Sequence, residues 1–225
     1  MKFFKNYRAY EGGILYFLLF AFGILFIGLV CLSVPKGVSF IWINHGSYRS
    51  ETMDILIKGF TDLGTVYGAI LVALIFILKR SWHSVLIVVV TFLLSGEVAR
   101  ILKHYFNHPR PASFFRDIHV IRAPSWNQLD YLYSFPSGHT TTIFSLAVIV
   151  SLFFIKKKWV AVVSFLIACT VGYSRIYLGE HFLEDVWAGA LTGTTVGVIC
   201  FIFINWLFKK WKNRKTPQIE SSPKK

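Results

Sequence analysis

The chain has 225 residues, of which 55% are hydrophobic, 17% aromatic and only 16% charged. This composition is typical of an integral membrane protein and excludes an ordinary soluble domain. The formal net charge of +13 would favour a nucleic-acid partner if the basic residues were evenly spread, so their distribution matters more than their number.

Six weakly charged apolar runs follow one another along the chain. They cover residues 14–34, 63–78, 84–96, 140–155, 159–177 and 186–208. A membrane-spanning helix needs about 20 mostly apolar residues, and the second, third and fourth runs reach that length only by including polar residues at one end. We therefore predict an all-α fold, an integral membrane bundle of six transmembrane helices.

The first run has two alternative interpretations, because it follows the basic start "MKFFKNYR". A cleaved signal peptide is disfavoured, since the run is too long for a typical signal and lacks a small-residue cleavage site. "GLVC" resembles a lipoprotein cleavage box, but Val30 is too large for the position before Cys31. We expect the run to be retained as a span.

Basic residues lie mainly on one side of the six predicted spans. With the N-terminus inside, the cytoplasmic segments hold fifteen basic residues and two acidic ones, whereas the remaining segments hold nine of each. The positive-inside rule explains this asymmetry, so both termini are predicted to be cytoplasmic and no nucleic-acid partner is expected. The outer face then carries six polar side chains at span ends: Lys103, Arg110, His139, Arg175, His181 and Asp185.

The outer segment 36–60 is too polar to span a membrane and too apolar for a plain loop. Its apolar residues recur at helical spacing: Ile55, Leu56, Gly59 and Phe60. This spacing predicts an interfacial amphipathic helix. A packing role without chemistry is the simpler interpretation, although His45 and Arg49 could reach a lipid head group.

The second outer segment, 112–135, is long for a connection without secondary structure. Its aromatic residues suit the depth of lipid head groups: Phe114, Phe115, Trp126, Tyr131 and Tyr133. A lid or wall over a lipid site and passive anchoring in the membrane both remain open.

Two short motifs at span ends carry groups that suit an anion. In "KHYFNHPRP", Lys103 and Arg110 are separated by six residues, and prolines close the preceding helix. In "FPSGHT", Ser137 is suited to cap the fourth span, which leaves the amides of Gly138 and His139 free. A helix N-terminus of this kind can bind an anion.

A third motif, "SRIYLGEHFLED", places His181 and Asp185 four residues apart, as neighbours on one helical face. Asp185 could hold the His181 ring in one tautomer and leave the other ring nitrogen bare. This is the logic of a nucleophile with its orienting group. Glu180 and Glu184 of the same motif receive no role from the sequence.

Each motif also has a structural interpretation. Lys103 and Arg110 could snorkel to the membrane interface, PSGH could be an ordinary helix cap, and His181 with Asp185 could form a structural hydrogen bond. His104 and His108 have the spacing of a zinc pair but lack the glutamate of the metalloprotease motif. Glu97 and Arg100, three residues apart, are most simply an ion pair. The motifs gain weight because all three lie on one predicted face.

Taken together, the three motifs resemble those of the type 2 phosphatidic acid phosphatase superfamily. Its members include integral membrane lipid phosphatases and soluble vanadium-dependent haloperoxidases. The motifs KxxxxxxRP, PSGH and SRxxxxxHxxxD are matched at every position between residues 103 and 185: Lys103, Arg110, Pro111, Pro136, Ser137, Gly138, His139, Ser174, Arg175, His181 and Asp185.

The resemblance implies a role for each matched side chain. His181 would attack phosphorus, Asp185 would orient it, and His139 would protonate the leaving group. The phosphate oxygens would be bound by five residues: Lys103, Arg110, Ser137, Gly138 and Arg175. No metal and no cofactor are implied, because three cations supply the positive charge.

A phosphatase of this kind would act on a membrane lipid phosphate at the outer face of the cell membrane. Phosphatidylglycerophosphate and undecaprenyl diphosphate are the leading candidates, ahead of phosphatidic acid. A lipid or anion transporter, a haloperoxidase and a binding protein without turnover are the alternatives. We predict one domain over residues 1–215 and a basic, disordered cytoplasmic tail over 216–225.

Overall fold

The computed structural model describes residues 9–46, 50–115, 120–154 and 157–215, and within these ranges all extended regular elements are helices. The predicted tail 216–225 and Arg49 lie outside the described residues. The helices are α1 (Ala9–Ser33), α2 (Lys36–Asn44), α3 (Glu51–Asp62), α4 (Val66–Leu78), α5 (Trp82–Phe106), α6 (Pro111–Phe114), α7 (Gly138–Phe153), α8 (Lys158–Tyr177) and α9 (Leu183–Lys215).

The predicted all-helical membrane architecture is confirmed for the described residues. By length and composition, the segments Trp82–Phe114, Lys158–Tyr177 and Leu183–Arg214 are able to cross a membrane. Two bent pairs raise the number to five if each pair is one span: Phe20–Cys31 with Lys36–Asn44, bent by 106°, and Glu51–Asp62 with Val66–Leu78, bent by 61°. The described part of the chain therefore contains three to five candidate spans.

Helix α7 forms the centre of the bundle and packs against α5, α8 and α9. Residues 140–149 are all buried, although several of them are polar. These hydroxyls bond within the helix: Thr141 Oγ1 donates to the Ser137 carbonyl at 2.9 Å and Ser145 Oγ to the Thr142 carbonyl at 2.8 Å. Because their polar groups are satisfied locally, small polar side chains can fill this tightly packed centre.

A glycine stripe on α9 allows this helix to lie directly against the backbone of α7. Gly189, Gly193 and Gly197 are spaced by four residues, and a Cβ added at Gly193 would lie 2.1 Å from the Thr141 carbonyl oxygen. Small residues at this spacing let helix backbones approach closely. The approach joins the start of α7 to the first turn of α9, where the Ser137 amide donates to the Asp185 carbonyl at 3.0 Å.

Where the sequence predicted one amphipathic helix in segment 36–60, the structure has two, α2 and α3. The break has a local cause, because Ser50 caps α3 by accepting a hydrogen bond from the Met53 amide at 3.2 Å. Ile55 and Leu56 are 69% and 55% exposed, so the predicted apolar face points away from the protein. The opposite face of α3 packs on α8.

The segment between α6 and α7 is held firmly where it is described. Asn44 of α2 is buried and accepts from the Arg122 amide at 2.8 Å while donating to the Tyr177 carbonyl at 3.0 Å. Asn127 donates to the Leu178 carbonyl at 3.0 Å. The segment therefore covers the connection between α8 and α9.

Candidate active site

The eight predicted site residues come from four helix ends and the connections beside them. They are Lys103 near the end of α5, Arg110 after it, Ser137, Gly138 and His139 at the start of α7, Arg175 near the end of α8, His181 in the α8–α9 connection, and Asp185 in the first turn of α9. The connection folds back tightly, since the amides of Glu180 and His181 donate to the Arg175 carbonyl at 3.0 and 3.3 Å.

His181 and Asp185 face each other in the protein interior, and both residues are only 1% exposed. His181 Nδ1 lies 3.4 Å from Asp185 Oδ2. This distance is longer than a normal N–H···O hydrogen bond. The arrangement still directs Nδ1 toward the carboxylate, so Nε2 is the nitrogen that is left for chemistry.

Ser134 lies between these two residues and was not identified from the sequence. Its hydroxyl donates to Asp185 Oδ2 at 2.5 Å and lies 3.3 Å from His181 Nδ1. The Phe182 amide donates to the same carboxylate oxygen at 2.9 Å. The signal in the sequence was slight, a serine between two aromatic residues just before PSGH.

The environment of His181 favours its neutral form. Burial is the main cause that lowers the pKa of His181 well below its usual range, and the charges of Arg110, Lys103 and Arg175 lower this pKa further. A neutral imidazole keeps a lone pair on Nε2. The site therefore holds a potential nucleophile at neutral pH.

Arg110 is buried in a network of acceptors. Its guanidinium forms an ion pair with Glu180 and a second one with Asp130 at 3.1 Å, and its Nε donates to the Leu132 carbonyl at 3.0 Å. Glu180 also accepts from Asn127 at 3.1 Å. The structure thus gives Glu180 a partner that the sequence did not, and it places Arg110 beside the His181 connection.

The surroundings of Arg175 are different, because its side-chain partner is a neutral hydroxyl. Arg175 Nη1 donates to Thr61 Oγ1 of α3 at 2.8 Å. Its Nε is buried and has no hydrogen-bond partner among the described residues. Thr61 was also missed from the sequence, since it lies 114 positions away in a segment without a recognisable motif.

Lys103 reaches the start of α7 from the end of α5. Its Nζ donates to the Tyr133 carbonyl at 2.9 Å. A Cβ added at Gly138 would lie 3.7 Å from Lys103 Cε, so the lysine stem runs past this glycine. Lys103 therefore lies beside the first-turn amides of α7.

Ser137 occupies the N-cap position of α7, but the predicted side-chain cap does not form. Its hydroxyl oxygen instead accepts a hydrogen bond from Thr140 Oγ1 at 3.0 Å, which occupies the oxygen that a cap would use. The first amides of an α-helix have no acceptor within the helix. The first-turn amides of α7 therefore have no acceptor within the helix, and the anion site predicted from PSGH stays a prediction.

His139 belongs to the same site. It lies within electrostatic range of Arg175, His181, Lys103 and Arg110. On its other side the turn between α3 and α4 is in close contact, because a Cβ added at Gly64 would lie 2.9 Å from His139 Cβ. The structure thus brings both histidines of the motifs into one cluster with the three cationic side chains.

Other residues that the sequence singled out have partners of a different kind. Glu97 and Arg100 form the predicted ion pair at 2.6 Å. The rings of His104 and His108 pack against Tyr133 and Phe135, with centroids 4.7 and 5.3 Å apart. His45, which was considered for a lipid head group, contacts the Val120 carbonyl instead.

Comparison with known families and proteins adds independent information. A model of the PAP2 superfamily matches residues 84–209. Undecaprenyl-diphosphatase of Sulfolobus acidocaldarius is 28% identical over 127 residues, which are 56% of this chain and 58% of that protein. Phosphatidylglycerophosphatase B of Bacillus subtilis is 27% identical over 179 residues, 73% of this chain and 79% of that protein.

A solved structure agrees with the fold. The crystal structure of Aquifex aeolicus LpxE has a TM-score of 0.60 and 30% sequence identity, and the match covers 72% of this chain and 92% of that one. Thr61 lies before the residues that match the family model, whereas all eight predicted site residues lie within them.

Proposed function

The chain belongs to the PAP2 superfamily, and we propose that it is a membrane lipid phosphatase that works through a phosphohistidine intermediate. The proposal rests on one observation above all. A buried, neutral His181 paired with Asp185 lies among three cations, Lys103, Arg110 and Arg175. This combination suits nucleophilic attack on a tetrahedral anion.

In the first step, His181 Nε2 attacks phosphorus and the bond between phosphorus and the leaving oxygen breaks. His139 gives a proton to the departing oxygen, so the lipid leaves as a neutral alcohol or a protonated phosphate. The attack places a positive charge on the His181 ring. Asp185, directed at Nδ1, stabilises that charge and fixes the ring orientation.

The three non-bridging oxygens carry the charge of the transition state. Lys103, Arg110 and Arg175 would neutralise it, and the Gly138 amide with the Ser137 hydroxyl would add hydrogen bonds. Arg110 also keeps its pair with Glu180, which holds its guanidinium at the edge of the pocket. The cations thus supply the electrostatic stabilisation that a metal ion gives in other phosphatases.

The second step regenerates the enzyme. With the leaving group gone, neutral His139 takes a proton from a water molecule, and that water attacks the phosphohistidine. The bond between phosphorus and His181 breaks, inorganic phosphate forms, and the ring returns to its neutral state. His139 therefore acts first as an acid and then as a base.

We further propose six spans, with both termini cytoplasmic and the active site at the outer face of the cell membrane. The six spans would be α1, α4, α5, α7, α8 and α9, which overlap the six apolar runs. In support, the excess of basic over acidic residues falls in the segments that this topology places on the cytoplasmic side, opposite the site. A transporter is the alternative, but its polar groups would be expected near the bilayer midplane rather than at one end.

The substrate is proposed to be a lipid phosphate or diphosphate, with phosphatidylglycerophosphate and undecaprenyl diphosphate as the leading candidates and phosphatidic acid behind them. Two of the similar proteins bear the names of enzymes acting on the first two lipids. The test is phosphate release by the purified chain in detergent from all three lipids side by side, with His181→Ala as the blank. Release from none of them would contradict the proposal.

Chelation provides a separate prediction. Since three cationic side chains supply the positive charge, phosphate release is expected to continue unchanged in EDTA. The measurement compares initial rates before and after dialysis against the chelator, with and without added Mg²⁺. A marked loss of rate that Mg²⁺ restores would show that a cation-only site is wrong.

Replacing Ser134 with alanine is expected to lower kcat by about 10-fold, because a hydrogen bond to a buried charged group contributes roughly 1.5 to 3 kcal/mol. The change leaves the Phe182 amide as the partner of Asp185 Oδ2. Ser151→Ala is the matched control, because in the described part of the chain Ser151 Oγ donates within its own helix, to the Ala147 carbonyl at 2.7 Å. Equal rates for Ser134→Ala and Ser151→Ala would show that Ser134 does not position the His181 and Asp185 pair.

A further inference from the structure

We infer that Thr61 of α3 is a positioning residue that holds Arg175 ready for the substrate phosphate. The inference rests on the proposed function, in which Arg175 binds phosphate. It assigns a part in the reaction to a helix that lies outside the residues matched by the family model, 84–209.

The contact between the two residues is buried and direct. Thr61 is 6% exposed and Arg175 is 7% exposed. Arg175 Nη1 donates to Thr61 Oγ1 at 2.8 Å, within the range of a good hydrogen bond. Arginine has rotamer freedom that must be restricted before it can bind an anion at a fixed place. A buried hydroxyl acceptor provides that restriction.

The chemistry of the acceptor explains why a threonine is suited to this position. Arg110 is paired with the carboxylates of Glu180 and Asp130, whereas no carboxylate among the described residues forms an ion pair with Arg175. A neutral hydroxyl fixes the guanidinium without neutralising it. The buried Nε of Arg175 has no hydrogen-bond partner in the described ranges, so its N–H remains available to donate to an anion.

Helix α3 is itself held in place, so Thr61 can hold the Arg175 guanidinium at a defined position. Tyr177, the last residue of α8, donates its hydroxyl to Asp54 at 2.6 Å. Asp54 and Thr61 are seven residues apart and therefore lie on the same face of α3. Beyond the helix, Gly64 is in close contact with His139. The α3–α4 region thus supports two site residues, Arg175 and His139.

The test compares Thr61→Val, which keeps the shape but removes the acceptor, with Thr61→Ser, which keeps the hydroxyl. Orthovanadate serves as the phosphate-like probe, and its Kd is measured by calorimetry on the purified chain in detergent. Thr61→Val is expected to weaken orthovanadate binding by about 10-fold, and Thr61→Ser to stay within about 2-fold of the native chain. Thr170→Val is the matched control, because among the described residues the Thr170 hydroxyl bonds within its own helix, to the Leu166 carbonyl at 2.9 Å.

A double-mutant cycle separates positioning from a general loss of structure. If Thr61 acts through Arg175, adding Thr61→Val to Arg175→Lys should cause no further loss of orthovanadate affinity or of kcat/KM. A thermal unfolding midpoint for each variant shows whether the fold is kept. If Thr61→Val does not fold, Thr61→Ser and Thr61→Asn in the same cycle carry the test, with Thr61→Asn expected to lose affinity because its amide adds a competing donor.

The possible results are distinct. Orthovanadate binding and kcat/KM unchanged in Thr61→Val, or losses that add fully to those of Arg175→Lys, would overturn the role of Thr61 while leaving the phosphatase proposal intact. Absence of phosphate release from every lipid would overturn the phosphatase proposal, and the orthovanadate cycle would still decide whether Thr61 positions Arg175.

Discussion

Replacing His181 with alanine is expected to abolish phosphate release, with a loss of about 10⁴-fold or more, because removal of a nucleophile eliminates the covalent route. The variant should still bind its lipid, since Lys103, Arg110 and Arg175 are unchanged. Deleting a buried imidazole also leaves a small cavity, so folding must be confirmed from the thermal unfolding midpoint. His181→Ala should therefore lose phosphate release while it keeps lipid binding.

The phosphohistidine itself gives the most direct measurement. Native protein is mixed with a ³²P-labelled lipid, quenched in alkali and digested, and the label is expected on the peptide that carries His181. His83→Ala is the control, because His83 lies at the opposite end of α5 and bonds to Asn205 at 2.9 Å. Label on a different histidine, or release by His181→Ala within about 10-fold of the native rate, would contradict the assigned nucleophile.

The three motifs predicted the main groups of the site because each motif is short and lies at a helix end. The predicted shared helical face of His181 and Asp185 is wrong, because α9 begins only at Leu183. The four-residue spacing still brings the two side chains together, since His181 lies in the connection just before that helix. The start of α7 is likewise predictable, since the first amides of any helix are free. The predicted side-chain cap by Ser137 was wrong, because Thr140 Oγ1 donates a hydrogen bond to the Ser137 hydroxyl oxygen that a cap would use.

The supporting residues could not be found in this way, because their contacts join distant parts of the chain. Thr61 and Arg175 are 114 positions apart, and Arg110 and Glu180 are 70 apart. Ser134, Thr61 and Glu180 belong to common residue types, and no local motif marks them as partners of the site. Only the packing of α3 on α8 and of the α8–α9 connection beside Arg110 brings them into contact.

Helix lengths limited the prediction of the membrane spans in a similar manner. Helix α7 has 16 residues, fewer than the roughly 20 that cross a bilayer unaided. The sequence nevertheless indicates an apolar segment there. Residues 140–149 of this helix are buried by the surrounding helices. The bend of 61° between α3 and α4 follows the turn at Leu63, Gly64 and Thr65. The apolar run 63–78 therefore includes this turn, and the helix within it, α4, has only 13 residues.

The second large effect is expected from His139→Ala, and its size should depend on the leaving group. A lipid alcohol is a poor leaving group and needs a proton, whereas a lipid phosphate leaves readily without one. Loss of a general acid costs roughly 100- to 10,000-fold. Because His139 is also the base in the second step for every substrate, the contrast is measured as the single-turnover rate of phosphohistidine formation. We expect this rate to fall in that range for phosphatidylglycerophosphate and by only about 10-fold for undecaprenyl diphosphate.

Two comparisons make this prediction specific to proton transfer. Within monoesters, p-nitrophenyl phosphate carries a good leaving group, so His139→Ala should form the phosphohistidine from it far faster, relative to the native protein, than from an alkyl phosphate of similar size. Orthovanadate binding should change little, because the three cations that hold the phosphate remain in place. Equal losses in the rate of phosphohistidine formation on the monoester and the diphosphate would exclude His139 as the acid. In that case the contact of Gly64 with His139 would indicate a packing role for this histidine at the base of the site.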